Sequence, residues 1–294
     1  MKTALASGSN FWNGGEFYGT VENNSLHLLH DYFTKYPEDA DKIVLSIKGG
    51  AEPGTFNPTG DRAGITRSVE ECLRVLDGKK KIDIFECGRV DLKVPIEETV
   101  GYIAEFVKAG KIRGIGLSEV SAATIRRAAS VHPIAAVEVE FSLFSTDIQT
   151  NDVASTCAEL GIPIVAYSPL GRGFLTGQIK PQGELTPQQK FSPWFQEENF
   201  DKNLARVEKI KKVAEKKGCT PAQLAIGWVR AHSGTKEFPT TIPIPGATSV
   251  GRVEENMKDV QLMVNELKEI DEILATMPVQ GQRVPKFLEH LAWA

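Results

Sequence analysis

Short apolar runs alternate with longer amphipathic stretches along the whole chain. The runs at 10–13, 42–48, 82–87, 113–118, 135–141, 163–168 and 240–245 are rich in Ile, Val and Phe. That is the composition of parallel strands covered on both faces. Between them lie stretches of helical period at 25–36, 65–78, 96–109, 121–131, 151–161, 203–218, 221–233, 249–260 and 264–277. Thr220-Pro221 supplies a cap followed by proline at the first helical position, and Gly218, Gly110 and Gly161 punctuate helix ends. Such β-α units, with no linker or low-complexity tract, predict one α/β domain over residues 1–294 with the architecture of a (β/α)8 TIM barrel.

Seven strands are found where a closed barrel of this type needs eight. Met1 to Gly8 reads as the last turns of a helix running into the strand at 10–13, so the strand before that helix is expected to be missing and the chain to be N-terminally truncated. The longest irregular stretch, 171–202, contains Pro181, Pro187, Pro193, Phe191, Trp194, Phe195 and Phe200. Long loops of this kind usually have a task, and a lid over a ligand is favoured here over a surface crossover.

Composition narrows the partners. Of 294 residues, 41% are apolar and 24% charged, ordinary for a globular protein with a large core. A net charge of -4 argues against a general affinity for nucleic acid or an anionic membrane. Lys79-Lys80-Lys81 and Lys211, Lys212, Lys216 and Lys217 read as solvated helix ends and faces. Cys72, Cys87, Cys157 and Cys219 form no C-x-x-C pair and no zinc spacing with histidine, so no metal site is expected and the thiols read as buried and reduced. His27 and His30 lie three apart but lack a third ligand. With no signal peptide and no long apolar run, a cytoplasmic protein is expected, with the nucleus as a further compartment. Oligomeric state leaves no mark in the sequence.

Chemistry should gather at the C-terminal ends of the strands. Tyr18, in Asn13-Gly14-Gly15-Glu16-Phe17-Tyr18-Gly19, and Lys48, closing Ile43 to Lys48, stand at the tips of consecutive strands. A phenol beside an ammonium is a poised acid, its pKa lowered from a reference of about 10, suited to giving a proton to a carbonyl oxygen. The other tips carry Gly88-Arg89-Val90-Asp91, Ser118-Glu119, Glu138, Tyr167 to Gly171, and Pro243 to Ser249. This mixture of polar groups, an aromatic ring and two turns able to bind phosphate fits a nucleotide. After the last strand, Thr248 or Ser249 can cap a helix whose N-terminus would take a phosphate. Arg252 could grip that phosphate, and Glu255 and Asn256 could meet an adenine edge. A plain capped surface helix explains that segment alone equally well. Tyr167 could stack on a nicotinamide or simply pack in the barrel mouth. The glycines of 171–177 do not open a helix as G-x-G-x-x-G, which argues against a Rossmann unit and for a loop covering a pyrophosphate.

Taken in order, these segments resemble the aldo-keto reductase superfamily over essentially the entire chain. The matching pieces are Asn13 to Gly19, Lys48, Ile115 to Glu119, Val139 to Ser142, Tyr167 to Gly177, and Ile244 through Asn256. Within the superfamily the chain looks most like the fungal pyridoxal reductases, through 13–19 and Cys87-Gly88-Arg89-Val90-Asp91. The resemblance implies a (β/α)8 barrel binding NADPH in extended form. Tyr18 would be the proton donor and Lys48 its charged neighbour. Ser118 would hold the nicotinamide carboxamide, with Glu138 where glutamine is usual. Tyr167 would stack on the ring, and Ser168, Leu170 and Gly171 would line the pyrophosphate. Thr248 and Arg252 would reach a 2′-phosphate, and Glu255 and Asn256 the adenine.

Two departures from the family pattern touch the chemistry. Asn13 stands where most members have aspartate, so Lys48 should be unneutralised and lower the Tyr18 pKa further. Gly88 stands where most have histidine. Its lack of a side chain should widen the pocket for a bulky aromatic aldehyde, while Arg89 beside it points elsewhere by strand alternation. The implied activity is NADPH-dependent reduction of a small-molecule aldehyde to an alcohol, with pyridoxal to pyridoxine foremost. The alternatives are an NADPH-binding sensor with little turnover, and a barrel isomerase or aldolase using a Lys48 Schiff base.

Overall fold

The computed structural model describes residues 1–178 and 185–294. Seven strands lie side by side in chain order: β1 (Phe11–Gly15), β2 (Val44–Gly49), β3 (Ile82–Cys87), β4 (Ile112–Ser118), β5 (Ile134–Glu140), β6 (Ile164–Tyr167) and β7 (Thr241–Ile244). Every neighbouring pair is parallel. The sheet curls into a nearly closed barrel, its β1 and β7 edges approaching at the seam.

Parallel neighbours need crossovers, and helices supply them. These are α2 (Ser25–Lys35), α3 (Arg62–Leu76), α4 (Ile96–Lys108), α5 (Ala122–Val131) and α6 (Val153–Leu160). The β6–β7 connection holds α7 (Pro187–Phe191), α8 (Glu197–Lys217) and α9 (Pro221–Ala231), and α10 (Val250–Met257) and α11 (Val264–Thr276) follow β7. The short α1 (Lys2–Ala6) runs into β1 and packs on α10. Caps mark the starts where the sequence places them: Thr220 Oγ1 accepts from the Gln223 N–H, Ser121 Oγ from Thr124, and Ser249 Oγ from Arg252.

Strand alternation sorts the side chains. Leu45, Ile47, Phe85, Ile115, Val137 and Val139 face outward into the large core beneath the helices. Phe11, Ile84, Ala136, Val165 and Ile244 face inward and fill the barrel floor. Two residues further along each strand, the same inward rows present Asn13, Glu86, Glu138 and Tyr167, joined by Lys48 of β2 and Ser118 of β4. The mouth is therefore polar because the apolar rows end one step below it.

The long β6–β7 connection is more regular than its sequence predicts. A 3₁₀ turn spans Gly171–Thr176, another spans Pro193–Phe195, and α8 begins at Glu197 rather than near 203. Glu197 and Glu198 suit the positive end of that helix. The aromatic residues are largely engaged in packing: Phe174 stacks on Phe195 at 4.1 Å and on Phe144 at 4.9 Å, with Trp194 and Phe200 buried beside them. Pro181 lies outside the described residues.

Candidate active site

Lys48 lies at the centre of the mouth. It is almost fully buried, and so are the two carboxylates around it, Glu86 and Glu138. Its Nζ is 3.2 Å from Glu86 Oε1 and forms an ion pair with Glu138 Oε1. The other Glu138 oxygen, Oε2, accepts from Asn13 Nδ2 at 2.7 Å. Parallel pairing dictates this meeting, since Lys48 is the register partner of Glu86, and Ser118 of Glu138. Gly116 on β4 makes room: a Cβ there would lie 2.9 Å from Ile84 Cγ2, 3.1 Å from Glu86 Cβ and 3.2 Å from its Oε2.

Tyr18 reaches the same place from the β1–α2 loop. Its N–H donates to the Gly15 carbonyl at 3.2 Å, a turn that folds the ring back over the strand. A Cβ on Gly15 would lie 3.2 Å from the Tyr18 ring and 3.3 Å from Lys48 Cβ, so the two side chains flank one small residue. Tyr18 as a whole residue is 44% exposed, although its phenol end is turned into the site.

The electrostatics differ from the sequence expectation. Asn13 does not leave Lys48 unneutralised, because Glu86 and Glu138 supply carboxylates from two other strands. The Tyr18 phenol is raised from its ordinary value, not lowered. Burial is the largest cause; Lys48 opposes it, and Glu138 and Glu86 add to it. Lys48 is pushed down by burial, but Glu86 and Glu138 outweigh that and hold its ammonium well above the usual lysine range. Burial drives Glu86 up to about 8, against the pull of Lys48 and with the push of Glu138.

Gly88 does not widen the pocket either. A Cβ at that position would sit 2.5 Å from Phe17 Cζ, so the Phe17 ring fills the space above it. Phe17 in turn meets Tyr18 edge-on at 5.2 Å and Phe56 at 5.7 Å, forming an aromatic wall beside the phenol. Arg89 donates to the Gly88 carbonyl at 2.5 Å, and its charge acts on Tyr18, Glu119 and Tyr167.

The remaining candidates line the rim. Ser118 is buried, and its Oγ has no hydrogen-bond partner among the described residues. Tyr167 closes β6 with its phenol pushed well above the ordinary range by burial. Ser168 and Gly171 both have positive φ, 50° and 56°, in the turn after β6. Arg252 Nη1 donates to Thr248 Oγ1 at 3.4 Å in the first turn of α10, so these two stand together, and Asn256 is buried on the same helix. Glu255 lies beside Asn256 on α10.

Three features escaped the sequence reading. Glu86 was hidden inside an apolar strand, although its two-residue spacing from inward-facing Ile84 was a signal. The Phe17 fill depends on a loop conformation that no spacing encodes. The third is the C-terminal segment. Arg283 pairs with Glu119 at 2.6 Å and Glu140 at 3.3 Å and lies under the Trp293 ring at 4.6 Å. The Trp293 N–H donates to the Glu119 carbonyl at 3.0 Å, tying this segment to the β4 tip.

Among the described residues no group of His, Cys, Asp and Glu is arranged to hold a metal, and no helix is long and apolar enough to cross a membrane. A nearly closed parallel barrel with an acid–base cluster at the C-terminal strand ends defines a class of enzyme. Comparison with known proteins names it. The model of the aldo/keto reductase family matches residues 1–275, and this chain belongs to that family. It is 43% identical over 298 residues to "Probable pyridoxal reductase 2" of Schizosaccharomyces pombe, covering 98% of this chain and 88% of that protein. The glycerol dehydrogenase structure from Gluconobacter oxydans superposes with a TM-score of 0.80 at 26% identity, covering 96% of this chain and 85% of that one. A thermostable aldo-keto reductase solved with the inhibitor epalrestat shares the fold, with a TM-score of 0.68 at 23% identity over 92% of this chain and 85% of that one. The chain is thus an oxidoreductase of a family that uses nicotinamide cofactors on small-molecule substrates.

Proposed function

We propose that the protein reduces an aldehyde to its alcohol with NADPH, and that pyridoxal is the aldehyde. The observation that carries the reading is the placement of Tyr18 beside the buried Lys48 ammonium at an open mouth. The bound nicotinamide would supply the hydride to the carbonyl carbon. Tyr18 would give its proton to the carbonyl oxygen, and Lys48 would stabilise the phenolate that remains.

The residues present suit the cofactor. An orphaned, buried hydroxyl at Ser118 is costly unless a ligand completes it, and a carboxamide would do so. Tyr167 would stack on the ring, and Ser168, Leu170 and Gly171 would border the pyrophosphate. The Thr248–Arg252 pair at the start of α10 suits a 2′-phosphate, which favours NADPH over NADH. Glu255 and Asn256 would meet the adenine.

Pyridoxal has two supports. One is the likeness to a relative named as a pyridoxal reductase. The other is the Phe17, Tyr18 and Phe56 wall, a surface on which a planar heteroaromatic ring packs. The test is NADPH oxidation with pyridoxal by the wild type and by Tyr18→Phe. Loss of an acid of this kind lowers turnover by roughly 10²–10⁴-fold. Full turnover by Tyr18→Phe removes Tyr18 from the proton-donor role.

A further inference from the structure

We propose that Glu86 holds a spare proton in the Lys48 cage and passes it through Lys48 Nζ to the Tyr18 phenolate, resetting the acid after each reduction. The proposal deepens the reading of Tyr18 as proton donor and rests on it.

The geometry requires an extra proton. The cage holds one ammonium and two carboxylates, all three almost fully buried. Two carboxylates in contact in a dry site do not both stay ionised. Their contacts decide which one keeps the proton. Both Glu138 oxygens are engaged, Oε1 in the ion pair with Lys48 and Oε2 accepting from the Asn13 amide. Glu86 has Lys48 at 3.2 Å, a long contact from Ser46 Oγ at 3.5 Å, and Glu138 within hydrogen-bonding reach. Its environment favours the neutral acid, in line with its raised pKa.

The groups facing Glu86 or bearing on it are Lys48 from β2, Glu138 from β5, Tyr18 from the β1–α2 loop and Cys87 next to it on β3, with Arg89 acting on Tyr18. Among the described residues Lys48 is the sole cation paired with it. The Lys48 ammonium has three N–H bonds and two carboxylates within ion-pair distance, which leaves one N–H to turn toward Tyr18.

The steps balance. The Tyr18 O–H bond breaks as the substrate alkoxide takes the proton and becomes an alcohol. A Lys48 N–H proton moves to the phenolate oxygen. The Glu86 O–H proton replaces it on Nζ and leaves a carboxylate. After product departure, solvent reaches Tyr18 and the relay recharges in reverse. The electron pair is the hydride of NADPH throughout.

The experiment uses the full chain, NADPH, and pyridoxal and 4-nitrobenzaldehyde side by side. For Glu86→Gln, which keeps size and hydrogen bonding but cannot release a proton, kcat is expected to fall at least tenfold with KM within twofold. Wild-type kcat is expected to fall above about pH 8 and to depend on the D2O fraction along a curve, and in the variant the alkaline limb should vanish and the dependence become linear. Glu86→Asp should recover part of kcat and the alkaline limb. Glu138→Gln makes Glu86 the sole counter-ion, so it should lower kcat likewise and move the limb to lower pH. It serves as the deciding variant if Glu86→Gln does not fold. An unchanged kcat and alkaline limb overturn the relay, as does a joint change in kcat and KM that leaves the limb in place. If Tyr18→Phe is inactive while Glu86→Gln behaves as wild type, only the relay fails. If Tyr18→Phe is active, or the wild type turns over neither aldehyde, the underlying reading fails with it.

Discussion

Two buried ionic clusters lie a few residues apart around the barrel mouth, and they are balanced differently. Around Lys48, one cation faces two carboxylates, Glu86 and Glu138. Around the C-terminal segment, two guanidinium groups, Arg172 and Arg283, face two carboxylates, Glu119 and Glu140. Arg172 grips Glu140 in a fork, at 2.9 Å and 2.6 Å, and stacks on Trp194 at 4.3 Å. Burial works against the Glu119 charge, but Arg283 and Arg89 overcome it and hold its carboxyl below the usual range. The second cluster is charge-paired and anchors a strand tip to the tail. The first carries an unmatched carboxyl near the Tyr18 phenol. Burial raises a carboxyl in both clusters, Glu140 against the pull of Arg172 and Arg283 and Glu86 against that of Lys48, so what separates the clusters is the ratio of cations to carboxylates.

The largest effect should come from breaking the balanced cluster. Arg283→Ala strands the buried Glu119 carboxylate, while Glu140 keeps its Arg172 fork, and should cost about 3–5 kcal/mol, read as a lower denaturation midpoint in urea. A loss below about 1 kcal/mol would place Arg283 among solvated surface pairs and erase the contrast. A smaller effect is expected at Gly116, where a methyl group would press first on Ile84 Cγ2 at 2.9 Å and then on Glu86. Gly116→Ala should cost about 1–3 kcal/mol by crowding, and Gly116→Ala with Glu86→Ala should recover part of it, which makes the pair non-additive.

The third effect is the pH dependence of stability. Folded Glu86 keeps its proton up to about 8, whereas an unfolded glutamate releases it near about 4.3. Between these values the folded state binds more protons than the unfolded state, so stability falls as pH rises across the window and levels above it. Glutamine does not titrate. The Tm of the wild type minus that of Glu86→Gln should therefore drop from pH 5 to pH 8, by about 2–4 °C for each kcal/mol involved. A constant difference would mean that Glu86 is ionised throughout.

Much of this was legible in the sequence. All seven strands and nearly every helix follow from periodicity, because a parallel sheet buried on both faces imposes a sharp apolar signature. The meeting of Tyr18 and Lys48 followed from consecutive parallel strands ending on one rim. The cage was less legible, because three strands distant in sequence build it. Asn13 alone read as a missing charge, while the compensating carboxylates sit at 86 and 138. The tail was invisible for a similar reason: Arg283 and Trp293 have no local period that points to Glu119. The start of α8 was misplaced because Glu197 to Lys202 is polar apart from Phe200 and reads as loop until that phenylalanine is seen to be buried.

The Phe17 ring above Gly88 links two positions that the chain separates by seventy residues. Neither can be changed freely on its own, since any side chain at 88 collides with the ring, and removing the ring alone opens a hole beside the phenol. In adaptive terms the pair is epistatic: a route that installs a proton-bearing group at 88 is open only after 17 has shrunk. A mutational library that varies 88 in the Phe17 background would find mostly losses, whereas one that varies both sites together would reach barrels in which the acid has a partner on β3.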